Sequence, residues 1–446
     1  MSEQSPQQRG PAGAETAIPS TAPVAPAHAE TKAEVRTTRS WKAPVAYTLF
    51  ALVLLIPFGM LAPADATSRI DLNDRLVPFE LPPVLLPTSG TNTVLGLVLL
   101  AIAGFAYARA ARDQKTPLWL LIVFGILWVV GLIVFIGADA NVPLTWLLSG
   151  TLAISTPLIF GAMAGLVSER VGVVNIAIEG QLLAGAFASA LIATLTGNPV
   201  LGLLGAMAAG VLVSLILAVF SINYLVAQVV VGVVINMLVI GLTDFFYSAV
   251  MVRDPGAFNQ PPKYAEWSIP LLSDIPVIGP LLFSNTLITF LMFILVPLLY
   301  WAVFHSKWGL RTRAVGEHPK AADTVGIKVN RTRFWNVLLS GVIAGAGGSY
   351  YTLGAVGAFG QEITSGQGYI ALAALIFGRW HPISAMLAAL LFGFATNLNS
   401  LVSQVGANIP TEFMAMVPYI VTILAVAGFV GKSRAPAANG IPYVKG

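Results

Sequence analysis

Apolar residues fall along this chain in long runs separated by short polar stretches. The runs lie near positions 45–62, 93–110, 117–137, 144–167, 172–195, 200–222, 226–250, 285–304, 334–357, 367–378, 382–402 and 413–431. A helix needs about 20 residues to cross a bilayer, and most of these runs are close to that length. The exception is the tenth, since a helix from Gly368 to Gly378 reaches only about 16 Å against a hydrocarbon core of roughly 30 Å. It is predicted to be a half-helix or re-entrant segment, entering from the outside after Gln361, Glu362 and Gln367. The pattern predicts an all-α polytopic membrane protein with about 10–12 hydrophobic segments, some of them broken.

Composition agrees: 56% of residues are hydrophobic and 10% charged, far below the roughly 25% charge of a soluble domain. The net charge of +4 does not point to nucleic acid, because the basic residues stand in loops beside apolar runs, where membrane orientation accounts for them. With no cysteine, disulfides and thiolate metal sites are excluded, and the four histidines (His28, His305, His318, His381) have no ligand spacing. Residues 1–40 are rich in Ala, Pro, Ser and Thr with almost no large apolar side chains, so they are expected to form a disordered tail. No convincing signal-peptide cleavage site follows them. A second short tail is expected at 432–446.

Basic residues set the orientation. The polar island from His305 to Phe334 carries Lys307, Arg311, Arg313, Lys320, Lys328, Arg331 and Arg333 against only Glu317 and Asp323, which puts it in the cytoplasm by the positive-inside rule. Threading from there puts both termini inside and leaves only Arg69, Arg75, Arg253 and Lys263 outside. Within the island, Pro319 suits the first position of a helix and Gly326 the position past its end, which brackets Pro319 to Val325 as a short helix. Its small residues, Ala321 and Ala322, suit insertion into a groove, whereas a purely topogenic loop needs only scattered Lys and Arg. Two external loops are long: 63–92 reads as plain connection, and 251–284, with Tyr264 and Trp267, is also a candidate docking surface.

Polar residues inside the apolar runs are the candidates for a substrate path. Asn175, Glu179 and Gln181 interrupt the fifth run, and a carboxylate there costs about 2.5–3.5 kcal/mol on insertion scales. On a helix Asn175 and Glu179 would share one face; alternatively the segment is hydrated at its cytoplasmic boundary. Asn236, Gln367 and Asn397 extend the set, although Asn236, Asp244, Asn397 and Asn399 also read as helix–helix hydrogen bonds. Gly161 with Gly165 and Gly341 with Gly345 have the spacing of close helix packing. The one nucleotide-like signal, Gly431-Lys432-Ser433, has Val426 where a phosphate loop needs glycine, so the chain itself is expected to bind no ATP and no other cofactor.

Three stretches carry a family resemblance. WGLRTRAVGEHPKAADTVGIKV resembles the cytoplasmic coupling segment of permease subunits in bacterial ABC importers for simple sugars and nucleosides. GLVSERVGVVNIAIEGQLLAGAF (Gly165 to Phe187) and GYIALAALIFGRWHPISAMLAALLFGFATNL (Gly368 to Leu398) resemble other signatures of that family. The resemblance implies a permease core over 144–431, preceded by a three-span extension over 41–143. It further implies a cell-membrane location, with ATPase subunits, a second permease, an external solute-binding protein and membrane lipid as partners. Glu317, Pro319, Lys320, Ala321, Ala322, Asp323 and Gly326 would form the ATPase coupling element. The competing class is an ion- or proton-coupled secondary transporter using Glu179 or Asp244. A membrane enzyme would need a nucleophile or metal set, and none is visible.

Overall fold

The computed structural model describes residues 41–73, 81–114, 116–405, 416 and 434–445. The expected tail over 1–40 and, apart from Met416, the expected span over 413–431 lie outside the described residues.

The apolar runs fold as helices: α1 (Lys42–Leu55), α2 (Thr88–Ala111), α3 (Leu118–Ile136), α4 (Leu144–Glu169), α5 (Ile178–Thr196), α6 (Pro199–Ala218) and α7 (Gln228–Phe246). After a single short turn, α8 (Pro255–Phe258), come α9 (Leu287–His305), α10 (Lys307–Glu317), α11 (Pro319–Thr324), α12 (Val329–Ser349), α13 (Gln367–Phe377) and α14 (Pro382–Val405). Among the described residues nine helical segments are long and apolar enough to cross a membrane. The helix that starts at α12 runs on through Val356 as a wider turn, but its glycines and its basic first turn keep it out of that set. α13 is the short segment anticipated from its length.

The core forms around α4, α5, α6, α12, α13 and α14. Both glycine pairs serve packing. Gly341 and Gly345 let α12 lie against the backbone of α6 at Ala206 and Gly210, while a side chain at Gly161 or Gly165 would strike Ala371 or Leu375 of α13. Backbones this close are typical of membrane bundles, where association rests on van der Waals packing rather than on hydrophobic transfer. The extension α1–α3 has its own cluster around Tyr47, Leu54, Leu99 and Phe124, and Ile133 and Ile136 of α3 join Leu147 of α4 and Leu401 of α14.

Two expectations need correction. The fifth segment does not start at 172: residues 171–177 are irregular and α5 begins at Ile178, so Asn175 and Glu179 do not share a helix face. The 63–92 loop carries part of a small sheet, in which β1 (Thr67–Asp71) pairs antiparallel with β2 (Val84–Pro87) and parallel with β3 (Asn141–Pro143), with Arg69 opposite Leu85 and Asn141. In the second loop, where β4 (Glu266–Ser268) pairs with β5 (Ser284–Thr286), Tyr264 is buried and donates to Ser349 Oγ at 2.8 Å. Trp267 stays exposed there.

Candidate functional site

Two helix starts meet at Glu179. This residue lies in the first turn of α5, directly after the irregular 171–177 segment, and α13 begins beside it after another irregular stretch, 357–366. Glu179 Oε1 accepts from Thr364 Oγ at 2.6 Å and from the Gly366 N–H at 2.9 Å, and Oε2 accepts from the Gly368 N–H at 2.6 Å. A half-helix that starts inside the bilayer exposes unpaired N–H groups and the positive end of its dipole, and a carboxylate answers both. Gly366 takes a left-handed φ of 77° to turn its N–H inward, and a Cβ on Gly368 would lie 2.6 Å from the Glu179 backbone. The side chain is 5% exposed, so both oxygens are committed to the fold.

Asn236 does the same for α5. Its Oδ1 accepts from the Gly180 N–H at 2.8 Å, and its Nδ2 donates to the Ile176 carbonyl at 2.9 Å and to Tyr369 Oη at 3.1 Å. Gln367 accepts from Tyr351 Oη at 2.9 Å. Glu179, Asn236 and Gln367 therefore converge on one junction, together with Tyr369, which is 48% exposed and was not singled out from sequence. Beside it Phe187 packs edge-on to Phe359 and lies near Phe246.

The other expected path residues lie elsewhere. Asn175 donates to Ser340 Oγ and Gln181 to Ser214 Oγ, at 2.9 and 2.8 Å, and the two amides pair with each other, tying α5 to α6 and α12 in a fully buried network. Asn397 donates to the Leu147 carbonyl at 2.8 Å and joins α14 to α4. These amides act as interhelical hydrogen bonds, worth about 0.6–2 kcal/mol each.

The second constellation lies at the ends of α4, α10 and α13. Trp380 Nε1 donates to Glu169 Oε2 at 2.6 Å, and Arg170 donates from Nε and Nη2 to the Trp380 carbonyl. These contacts hold Arg379 and Trp380 in left-handed backbone, φ 55° and 52°, a conformation that costs roughly 1–2 kcal/mol per residue. Burial first, and the nearby Arg170 charge second, lower the pKa of His381, whose ring packs against Phe304 and Tyr300. Gly316, at the end of α10, sits so close to the Arg170 carbonyl that a Cβ would collide with it. The Gly165–Phe187 stretch thus touches both of the other stretches that carry the resemblance.

The bracketed helix is present: α11 spans Pro319–Thr324, and Gly326 follows with φ 86°. Ala322, however, is 4% exposed and packs into this chain, while Ala321, Lys320 and Val325 face outward. Residues 434–445 do not read as a free tail. The Ala438 N–H donates to the Gly316 carbonyl (2.8 Å) and the Ala437 N–H to Glu317 Oε2 (3.2 Å). Asn439 donates to Glu169 (3.2 Å) and Arg333 to the Ile441 carbonyl (2.9 Å), and Tyr443 stands near the Asp323 charge.

The family model described as branched-chain amino acid transport system / permease component matches residues 147–426. The chain belongs to this permease family. The matched stretch begins after α3, so α1–α3 precede it. NupQ, a guanosine ABC transporter permease protein of Bacillus subtilis, is 45% identical over 312 residues, which is 68% of this chain and 98% of that protein. NupC, a nucleoside ABC transporter permease protein of Lactococcus lactis, is 41% identical over 67% of this chain and 96% of its own length. TsgC13, a putative glucose ABC transporter permease protein of Haloferax volcanii, is 30% identical over 63% and 90%. No solved structure matches. As a member of the permease family the chain is a multi-pass membrane transport subunit.

Proposed function

We propose that this permease forms the translocation path of an ATP-driven importer for nucleosides, working with ATPase subunits, a second permease and an external solute-binding protein. Two relatives above 40% identity bear guanosine or nucleoside ABC permease names. The observation that carries the substrate reading is Tyr369, an exposed ring at the meeting point of α5, α7 and α13, oriented by Asn236. An aromatic face offers a nucleobase a stacking partner worth about 1–3 kcal/mol, and Gln367 beside it supplies amide hydrogen bonding for a neutral, polar solute. On this reading Glu179 and Asn236 shape the path by fixing the two helix starts, and Asn175, Gln181 and Asn397 hold the walls around it.

The ATPase contact is assigned to the α11 surface formed by Lys320, Ala321, Val325 and Gly326, braced from below by Ala322, with Glu317 and Asp323 tied to the C-terminal segment. ATP is bound by the partner subunits and no cofactor by this chain. Both termini face the cytoplasm of a bacterial cell, as the basic loops indicate.

Uptake of labelled guanosine by the assembled transporter tests the reading. Tyr369→Ala is expected to lower uptake about fivefold to a hundredfold, the loss of one stacking contact, at normal membrane abundance, while Tyr369→Phe keeps most of it. Normal transport by Tyr369→Ala sinks the assignment. The secondary-transporter alternative, with Glu179 or Asp244 binding a coupling ion, is not favoured, since the chain belongs to the permease family and its relatives above 40% identity bear ABC permease names.

A further inference from the structure

Two cavities open side by side on the bundle and share Trp308. The first, about 770 Å³, is a cleft between α9 and α12, with Phe160 of α4 among its walls. Leu291, Leu295 and Leu298 line one side and Leu339, Val342 and Ile343 the other, and the cleft ends at Ser306, Lys307 and Trp308. Its lining on α9 and α12 is apolar up to Ser306, so the cleft suits a hydrocarbon chain along most of its length. The second cavity, about 810 Å³, continues past Trp308 between α10 and the start of α12; Trp335 borders it, and it is lined by Arg311, Lys328 and Arg331 with no acidic residue.

Each half alone is unselective, because an apolar cleft accepts any hydrocarbon tail and a basic pocket any anion. Joined end to end they ask for one molecule with a long apolar tail and a negatively charged head. Their junction carries Trp308, and Trp335 is 60% exposed, the amphipathic ring type that settles at the membrane–water boundary. Basic residues at that depth attract anionic headgroups. We propose that the two cavities form one binding site for an anionic phospholipid of the leaflet on the α10–α11 side, its acyl chain between α9 and α12 and its phosphate among Arg311, Lys328 and Arg331.

The test is native mass spectrometry of the assembled transporter after equilibration in nanodiscs holding equal phosphatidylglycerol and phosphatidylcholine. The wild type is expected to retain phosphatidylglycerol in preference by about tenfold or more, since each basic residue near the surface biases binding about fivefold. The triple variant Arg311→Gln, Lys328→Gln, Arg331→Gln should fall to near parity, and Arg331→Gln alone, an exposed position the fold tolerates, should lose about fivefold. Lys42→Gln, which removes an exposed charge outside the pocket, should keep the full preference. Val342→Trp, which fills the cleft without touching charge, should lower retention of both lipids. The proposal is overturned if the triple variant keeps its preference, or if it sheds the ATPase while still holding phosphatidylglycerol. In the latter case the basic pocket is a protein contact.

Discussion

At the Glu179 junction the chain satisfies its own polar groups: three donors converge on one carboxylate, and Asn236 serves three more partners. On the outer side of α10 and α11 it does the reverse, leaving Val325 76% exposed and Leu310 63% exposed among basic side chains. Both regions are polar interruptions in an apolar sequence, yet one is closed and the other open. A buried carboxylate that answers helix N-termini is framework, because removing it strands donors that water cannot reach. Exposed aliphatic side chains on a short charged helix gain nothing for the isolated chain, so they belong to whatever surface covers them. Function is therefore to be sought in Tyr369, which the closed region holds out into the open, and in the outward face of α11.

The largest test of that division is Glu179→Ala. It leaves the Gly366 and Gly368 N–H groups and the Thr364 hydroxyl without acceptors, a cost of about 3 kcal/mol or more, so membrane abundance and melting temperature should both collapse. Glu179→Gln should also destabilise, because an amide has one acceptor oxygen and turns its own N–H groups toward donors. From sequence alone, the expectation is that Glu179→Gln still inserts and assembles while uptake falls or selectivity changes. A stable Glu179→Gln protein with altered selectivity would restore that path-lining role and break the comparison.

Next in size is a pair of neighbours on α11. Ala322→Trp forces an indole into a packed site inside the chain, where overpacking typically costs about 1–3 kcal/mol, so it should lower the melting temperature of the permease purified by itself. Ala321→Trp, on the exposed side, should leave the melting temperature unchanged and abolish co-purification of the ATPase. Equal effects on stability from the two substitutions would show that α11 has no free face.

Sequence reasoning reached the elements further than their contacts. The half-helix at 367–377 was legible because its length is too short for the bilayer, and α11 because Pro319 and Gly326 punctuate it. The partner of Glu179 was not, since backbone N–H groups at 366 and 368 carry no side-chain signal and lie nearly 190 residues away. The orientation of Ala322 was equally hidden, because six residues with two alanines define no hydrophobic face. Asn175 and Gln181 were rightly found as interruptions, but their mutual pairing depends on residues 171–177 leaving the helix, which their apolar composition disguised. Glu169 and Trp380 carry no pairing signal in sequence, for their contact is made only when the ends of α4 and α13 meet.

The smallest predicted effect concerns the segment 434–445, part of the tail expected at 432–446, whose backbone bonds to Gly316 and Glu317 at the end of α10. Removing residues 434–446 deletes the donors to Gly316 and Glu317, the acceptor for Arg333 and the Tyr443 ring near Asp323. The first three are partly exposed hydrogen bonds worth roughly 0.5–1.5 kcal/mol net each, and the loss should be partial because water replaces several of them. The permease should fold, with a melting temperature lowered by only a few degrees. The larger change is expected in hydrogen exchange, where the amides of α11 and of the Gly316 turn should lose protection while those of α13, held by Glu179, keep theirs. Unaltered exchange in α11 would mean that the α10–α11 end is as self-sufficient as the junction, and the contrast between the two regions would then rest on exposure alone.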